Sequence, residues 1–281
     1  MEERSGFSIL IPTWNNLPYL QLCLESIFSH SSLDHQVIVI VNEGTDGTRE
    51  WLKNRIDLDV LAFSKNAGIC EALNKGALIA STDYILYMND DMYVLPGWDQ
   101  VLMDEIKSIG HEKFFLSSTM IEPTDTGNAC VLVKDYGNGP DDFKRTELLK
   151  EYTSLTKKDW NGATWPPNIM HRNMWKEVKG MSMEFSPGFY SDPDLSMKLW
   201  QAGVRYFKGL DNSKVYHFGT KSTGRVQPND GKKTFLDKWG ITPGDFVRYY
   251  LRRGEKFTGP LPEAHISWVK KITNQLKKRL G

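Results

Sequence analysis

Two adjacent carboxylates, Asp90 and Asp91, follow directly on the apolar run Tyr84-Ile85-Leu86-Tyr87-Met88. A buried strand ending in Asn89-Asp90-Asp91 sets hard anionic oxygens at the rim of a sheet. Two like charges so close are unfavourable unless a cation or a hydrogen-bond network compensates them. A divalent ion holding a phosphorylated ligand is the usual compensation. A solvated turn is the competing account, because Asn and Asp favour turns. Three other loops carry short polar side chains suited to a ligand. The first reads Pro12-Thr13-Trp14-Asn15-Asn16 and the second Asn42-Glu43-Gly44-Thr45-Asp46-Gly47-Thr48. Neither fits G-x-G-x-x-G or G-x-x-x-x-G-K-[ST], so a Rossmann dinucleotide site and a P-loop are unsupported. Their side chains could instead hydrogen-bond a base and a ribose. The third loop opens a helix, Asn66-Ala67-Gly68-Ile69-Cys70-Glu71-Ala72-Leu73-Asn74-Lys75-Gly76. Asn66 is expected to cap it, and Gly68 lets backbone approach a ligand closely. Asn74 stands on a face that would otherwise pack against the sheet. Gly76 inside a helix costs about 1 kcal/mol against Ala, which suggests that it has a task.

The elements that position these loops follow from periodicity. Strands are expected at residues 7–11, 37–41, 59–63 and 84–88. Helices are expected over 17–28, 48–54 and 69–80. The unbroken β-branched run 37–41 suits a parallel strand covered on both faces. This alternation implies a doubly wound parallel sheet, whose ligands sit beyond the carboxyl ends of its strands. Beyond residue 110 the pattern loosens. A strand is expected at 113–118, a long loop at 122–139 and a helix at 148–156. A further helix is expected at 192–202, with Asp192 as N-cap and Pro193 in its first turn. Short strands are expected at 204–207 and 213–218, and helices at 230–239 and 244–253. Pro260-Leu261-Pro262 then sets off a tail, 265–281.

Composition bounds the possibilities. With 281 residues the chain can bury a substantial core. Lys and Arg total 35 against 35 Asp and Glu, so no net basic charge points to nucleic acid as a partner. The N-terminus reaches its first strand without the apolar core of a secretory signal, and no apolar stretch approaches the ~20 residues of a membrane span. A cytoplasmic location is expected. Cys23, Cys70 and Cys130 are odd in number, lie far apart and read as reduced packing residues. Among nine tryptophans, Trp160 and Trp165 (with Tyr152) either cover the core or stack on a sugar.

The ordered set I-P-T-W-N-N, N-E-G-T-D-G-T, N-x-G-x-x-x-A-x-N-x-G and Y-M-N-D-D-M resembles the family-2 glycosyltransferases of the GT-A fold. The order continues through residues 165–172 and 175–180, then Phe189-Tyr190-Ser191-Asp192-Pro193-Asp194-Leu195 and Val215-Tyr216-His217-Phe218. The likeness spans roughly residues 7–220. It implies an α/β fold with a Rossmann-like, mostly parallel central sheet flanked by helices, a smaller acceptor-side subregion and C-terminal helices. Residues 1–110 would be the nucleotide-sugar half, 111–225 the acceptor and catalytic half, 226–260 C-terminal helices and 261–281 a basic tail. Pro12, Thr13, Asn15 and Glu43 would line the nucleoside pocket. Asn66, Gly68 and Asn74 would lie along the donor with Asn89 and Asp90. Asp91 and His217 would hold Mg²⁺ or Mn²⁺, and Asp192 would be the general base.

The implied reaction moves a sugar, with inversion, from a nucleotide-diphosphate donor to a hydroxyl of a saccharide or lipid-linked saccharide. Departures from the family pattern are Glu43 for Asp, Asn89 for the first Asp of the metal motif, Ser191 for an acid and Lys198 for Arg. A non-catalytic nucleotide-sugar-binding protein and a sugar-1-phosphate nucleotidyltransferase are the alternatives. The latter would want a Gly-rich basic loop after the first strand, which Pro12–Asn16 does not supply. In the tail, Lys270, Lys271, Lys277, Lys278 and Arg279 surround Ile266, Val269, Ile272, Leu276 and Leu280. This amphipathic basic helix either lies on an anionic membrane surface or packs on the domain or a second subunit of a homo-oligomer.

Overall fold

An apolar β-branched run has no polar face to offer water, so it must lie inside a sheet covered on both sides. All seven residues of Gln36–Asn42 are buried. The computed structural model describes residues 4–162, 164–219 and 229–280. Its strands are β1 (Ser8–Thr13), β2 (Gln36–Asn42), β3 (Asp59–Phe63), β4 (Tyr84–Tyr87) and β5 (Met92–Val94), then β6 (Phe114–Glu122), β7 (Leu132–Val133), β8 (Trp160–Asn161), β9 (Asn168–His171) and β10 (Tyr206–His217). They form one mixed sheet ordered β3-β2-β1-β4-β9-β6-β10-β5, with β7 beside β6 and β8 beside β10. The first four strands in that order are mutually parallel. β9 enters antiparallel between β4 and β6, β10 runs parallel to β6, and β5 closes the edge antiparallel to β10.

The helices are α1 (Leu17–His30), α2 (Thr48–Leu52), α3 (Gly68–Leu78), α4 (Trp98–Ile109) and α5 (Arg145–Glu151), then α6 (Arg172–Glu177), α7 (Ser191–Gln201), α8 (Gly231–Trp239), α9 (Pro243–Asp245) and α10 (Trp268–Leu280). Period two along β1 divides the core. Ile9 and Ile11 point to the layer of α1 and α4, while Leu10 points to the layer of α3 and α7. α3 lies close on the sheet because Gly76 has no side chain: a Cβ there would sit 2.6 Å from Ile40 Cδ1. The task of Gly76 is packing.

Several elements differ from expectation. The two short strands at 204–207 and 213–218 are one strand, β10, carried past the polar Asp211-Asn212-Ser213 by a register shift between Leu210 and Lys214. α4, framed by left-handed Gly97 and Gly110, was not anticipated. Neither was β9, whose four residues are too few for a period-two signal. The helix expected at 244–253 is α9 followed by one stretch of π-helix, Phe246–Tyr250. Asp192 is not an N-cap. Tyr190, at φ 67°, turns the chain into α7, and Asp192 is the second residue of that helix.

α7 is fixed from behind by its next acid. Asp194 is fully buried. It accepts hydrogen bonds from Ser182 Oγ (2.5 Å) and Trp239 Nε1 (2.8 Å) and pairs with Lys238 Nζ at 2.9 Å. α8 is thereby bolted to the helix that bears Asp192. Removing one member of a buried pair strands the other, at a cost of about 3 kcal/mol. Asp194→Ala should therefore lower the melting temperature by roughly 6–12 °C. A thermal melt of the variant against the parent checks this, and an unchanged midpoint would refute the bolt.

Candidate active site

The carboxyl ends of β1, β2 and β4 open into one cavity of about 580 Å³, a size suited to a nucleotide-sized ligand. Pro12, Thr13, Trp14, Asn16 and Asn42 line one side. The Thr13 hydroxyl is buried with no hydrogen-bond partner among the described residues, so it awaits a polar group. Asn15 and Glu43 do not line the cavity. Asn15, at φ 49°, accepts from Thr45 N–H at 2.7 Å, and Glu43, at φ 68°, accepts from Trp14 Nε1 at 2.8 Å. They cross-tie the first two loops. Arg49 secures the same turn by donating to the carbonyls of Glu43 and Phe63.

Asn66 and Gly68 line the cavity from the third loop. Ala67 holds the N-cap position of α3, and Asn66 serves the first turn from one residue earlier, accepting from Gly68 N–H at 2.9 Å. Gly68 needs its missing side chain: at φ +77° a Cβ would stand 2.9 Å from Pro187 Cα. Asn74 lies outside the lining. Its amide binds both the carbonyl and the N–H of Met181, each at 2.8 Å, and so steadies the chain that leads to α7. Lys198 faces the same chain and donates to the Gly180 carbonyl.

Asn89, Asp90, Asp91, Asp192 and His217 meet in the cavity wall. Asp90 accepts from Asn16 Nδ2 at 3.0 Å. Asp91, only 4% exposed, faces His217 Nε2 at 3.5 Å, while His217 Nδ1 faces Glu122 at 2.8 Å. Burial alone would lower the imidazole pKa, but the charges and hydrogen bonds of Asp91 and Glu122 raise it to about 10. His217 is therefore a cation at neutral pH. Asp192 has the opposite surroundings. Its carboxylate has no hydrogen bond or ion pair among the described residues, and burial pushes its pKa up to about 7.

Among the described residues no group of three His, Cys, Asp or Glu side chains is arranged to hold a metal. The donors present still suit a hard dication. Glu122 fixes the imidazole through Nδ1 and leaves Nε2 beside the Asp91 carboxylate, the arrangement that orients histidine ligands. Phosphate oxygens and water would complete such a shell. Glu122 escaped the sequence reading although its signal, an acid closing the apolar run of β6, matches that of Asp91. Trp165 reaches the cavity, its ring covered by Arg253 at 3.9 Å. Trp160 is core, packed on Gly209 and donating to Thr119 Oγ1 at 3.0 Å, and Tyr152 packs beneath the β6–β7 side. All three cysteines are free and buried.

Residues 8–128 match the family model described as Glycosyl transferase family 2. The uncharacterized glycosyltransferase YwdF of Bacillus subtilis is 30% identical over 102 residues, 36% of this chain and 38% of that protein. The putative glycosyltransferase EpsH of the same organism is 26% identical over 186 residues, 64% of this chain and 51% of that protein. The chain thus spans about half or less of the length of these curated relatives. Crystal structures of S. aureus TarS 1-349 share the fold. The complex with UDP superimposes with a TM-score of 0.58 at 14% identity, covering 98% of this chain and 70% of that one. The complex with UDP-GlcNAc gives 0.57 at 15% identity, covering 98% and 71%. Residues 8–128 thus resemble the family-2 glycosyltransferases, and the chain takes the GT-A fold.

Proposed function

We propose that this chain is an inverting glycosyltransferase that moves a sugar from a nucleoside diphosphate to a hydroxyl of a saccharide or lipid-linked saccharide, with help from Mg²⁺ or Mn²⁺. The observation that carries the proposal is the pairing of environments in one cavity. One aspartate, Asp91, sits against a cation, and another, Asp192, sits unpaired with its pKa near neutrality. Acid and base assignments separate in this manner when surroundings push titratable groups apart.

In this reading residues 1–110 supply the donor site and 111–225 the acceptor side. Pro12 and Thr13 contact the nucleoside, and the unsatisfied Thr13 hydroxyl is a ready partner for it. Asn66, Gly68, Asn89 and Asp90 lie along the donor. Asn15 and Glu43 act one layer back, by holding the two nucleoside loops together. Asp91 and His217 would hold the ion, His217 giving up its Nε2 proton as the ion takes its place beside Asp91, and the bound ion would neutralise charge building on the departing diphosphate. Asp192 accepts the proton of the acceptor hydroxyl as its oxygen bonds to the anomeric carbon and the bond to the diphosphate oxygen breaks. Trp165 offers an aromatic face to the acceptor sugar. The UDP and UDP-GlcNAc complexes of the TarS structures make UDP-sugars the first donors to try.

Four outcomes are expected. Purified protein given UDP-, GDP- and dTDP-sugars with Mn²⁺ should release a nucleoside diphosphate from one of them. Release of pyrophosphate instead would mark a nucleotidyltransferase. Asp192→Asn should cut transfer by at least about a hundredfold while leaving donor affinity unchanged, as measured by calorimetry. Because Asp192 must be ionised to act, kcat/KM should rise with pH through about 7 and then level off. A flat profile from pH 5 to 8 would count against it as base. Finally, Asp91→Asn should abolish any metal-dependent thermal stabilisation by nucleotide, and full retention of that stabilisation would remove Asp91 from the ion site.

A further inference from the structure

The C-terminal helix presents its apolar side outward. In α10 residues four apart share a face, and positions offset by two residues lie on nearly opposite faces. Lys270, Asn274 and Lys278 form the inner face. Lys270 pairs with Asp245 at 3.2 Å, Asn274 is 2% exposed, and Lys278 Nζ donates to the Asp237 carbonyl of α8 at 2.6 Å. Trp268, Ile272 and Leu276 follow the same spacing two residues out of step, and they point away from the body. Their exposures are 72%, 45% and 51%, and neighbouring Val269 is 53% exposed. A helix that docked to bury its apolar stripe would do the reverse.

We propose that this stripe docks on an anionic lipid bilayer, with α10 lying in the plane of the headgroups. Length and charge select this occupant. Thirteen residues make a helix of about 20 Å, too short to span a bilayer, and no helix of the described chain is long and apolar enough to cross one. Exposed Lys271 and Lys277 flank the stripe on its two sides, the placement by which surface helices meet acidic headgroups. No Asp or Glu occurs between residues 264 and 281. A second copy laid stripe to stripe would set lysine against lysine with no acid to answer it, whereas anionic headgroups supply that missing charge. The proposal is independent of the glycosyl-transfer reading.

Flotation of the full chain with vesicles tests it. The protein should rise with mixed phosphatidylcholine and phosphatidylglycerol vesicles in roughly a 2:1 ratio, and not with phosphatidylcholine alone. Because these three side chains are exposed and belong to no core cluster of the described residues, Trp268→Ser/Ile272→Ser/Leu276→Ser should keep the parent melting temperature to within a few degrees. It should lose about tenfold or more in vesicle affinity. At about a factor of five for each lysine, Lys271→Gln/Lys277→Gln should lose roughly 25-fold, and salt should weaken the parent in the same direction. Absence of binding to the mixed vesicles would overturn the proposal, as would equal binding to neutral ones or unaltered binding by the triple variant. A dimer seen by light scattering and dissolved by the triple variant would assign the stripe to a second copy and overturn it too.

Discussion

His217 is the charge on which the candidate site depends. Two acids, Asp91 from the β4–β5 turn and Glu122 from the end of β6, converge on its ring from opposite sides. Without a cation between them, two carboxylates this buried would repel and one would have to take up a proton. The raised imidazole pKa states the same fact from the other partner: the proton is held because both neighbours are anionic. β10 delivers the ring to this spot because it lies between β6 and β5 in the sheet. The sheet order is therefore what brings together three residues separated by up to 126 positions in the chain, from Asp91 to His217.

Asp192 is built by the contrary rule. No basic side chain or donor reaches its carboxylate among the described residues, although Asp194, two residues on, has three partners. The helix thus uses one acid as a bolt and leaves the next unpaired. A carboxyl group that gives up no energy to local bonds remains a usable base near neutral pH, and burial alone sets where it titrates. The left-handed Tyr190 matters here. Had the chain entered α7 two residues later, Asp192 would have been the N-cap and could have spent its oxygens on the helix N-terminus.

The first half of the fold was legible because its strands are buried on both faces and read as apolar runs, and its helices show clear stripes. The parallel order of β1, β2, β3 and β4 follows from that alternation. The second half was less so. β9 is four residues long and antiparallel, α4 lies between two glycines, and the polar break in β10 imitates a turn. At the site, strand-end acids were visible at Asp90 and Asp91. Glu122 carried the same mark but stood at the head of a polar loop. Asn15, Glu43 and Asn74 stand out for their chemistry, yet Asn15 and Asn74 hold backbone and Glu43 holds the Trp14 indole, because a polar side chain beside a loop is as apt to satisfy that loop as a ligand. Sequence spacing registers that such groups are near a site. It does not register which way they face.

Orientation likewise decides the tail. Its amphipathic pattern fits equally a helix folded onto the body and one turned from it, since periodicity carries no sign. The sign comes from Asp245 and the Asp237 carbonyl, which take the lysine side of α10 and leave Trp268, Ile272 and Leu276 outside. α10 rests on α8, and α8 is bolted through Trp239 and Lys238 to Asp194 of α7. A surface that holds α10 is thus tied, through two polar links and no intervening loop, to the helix that carries Asp192. On the proposal of bilayer docking, the acceptor side of the cavity would keep a constant height and tilt above the headgroups. A lipid-linked acceptor would gain most from that constraint, because its own anchor lies in the same plane and only one orientation between hydroxyl and carboxylate remains to be found.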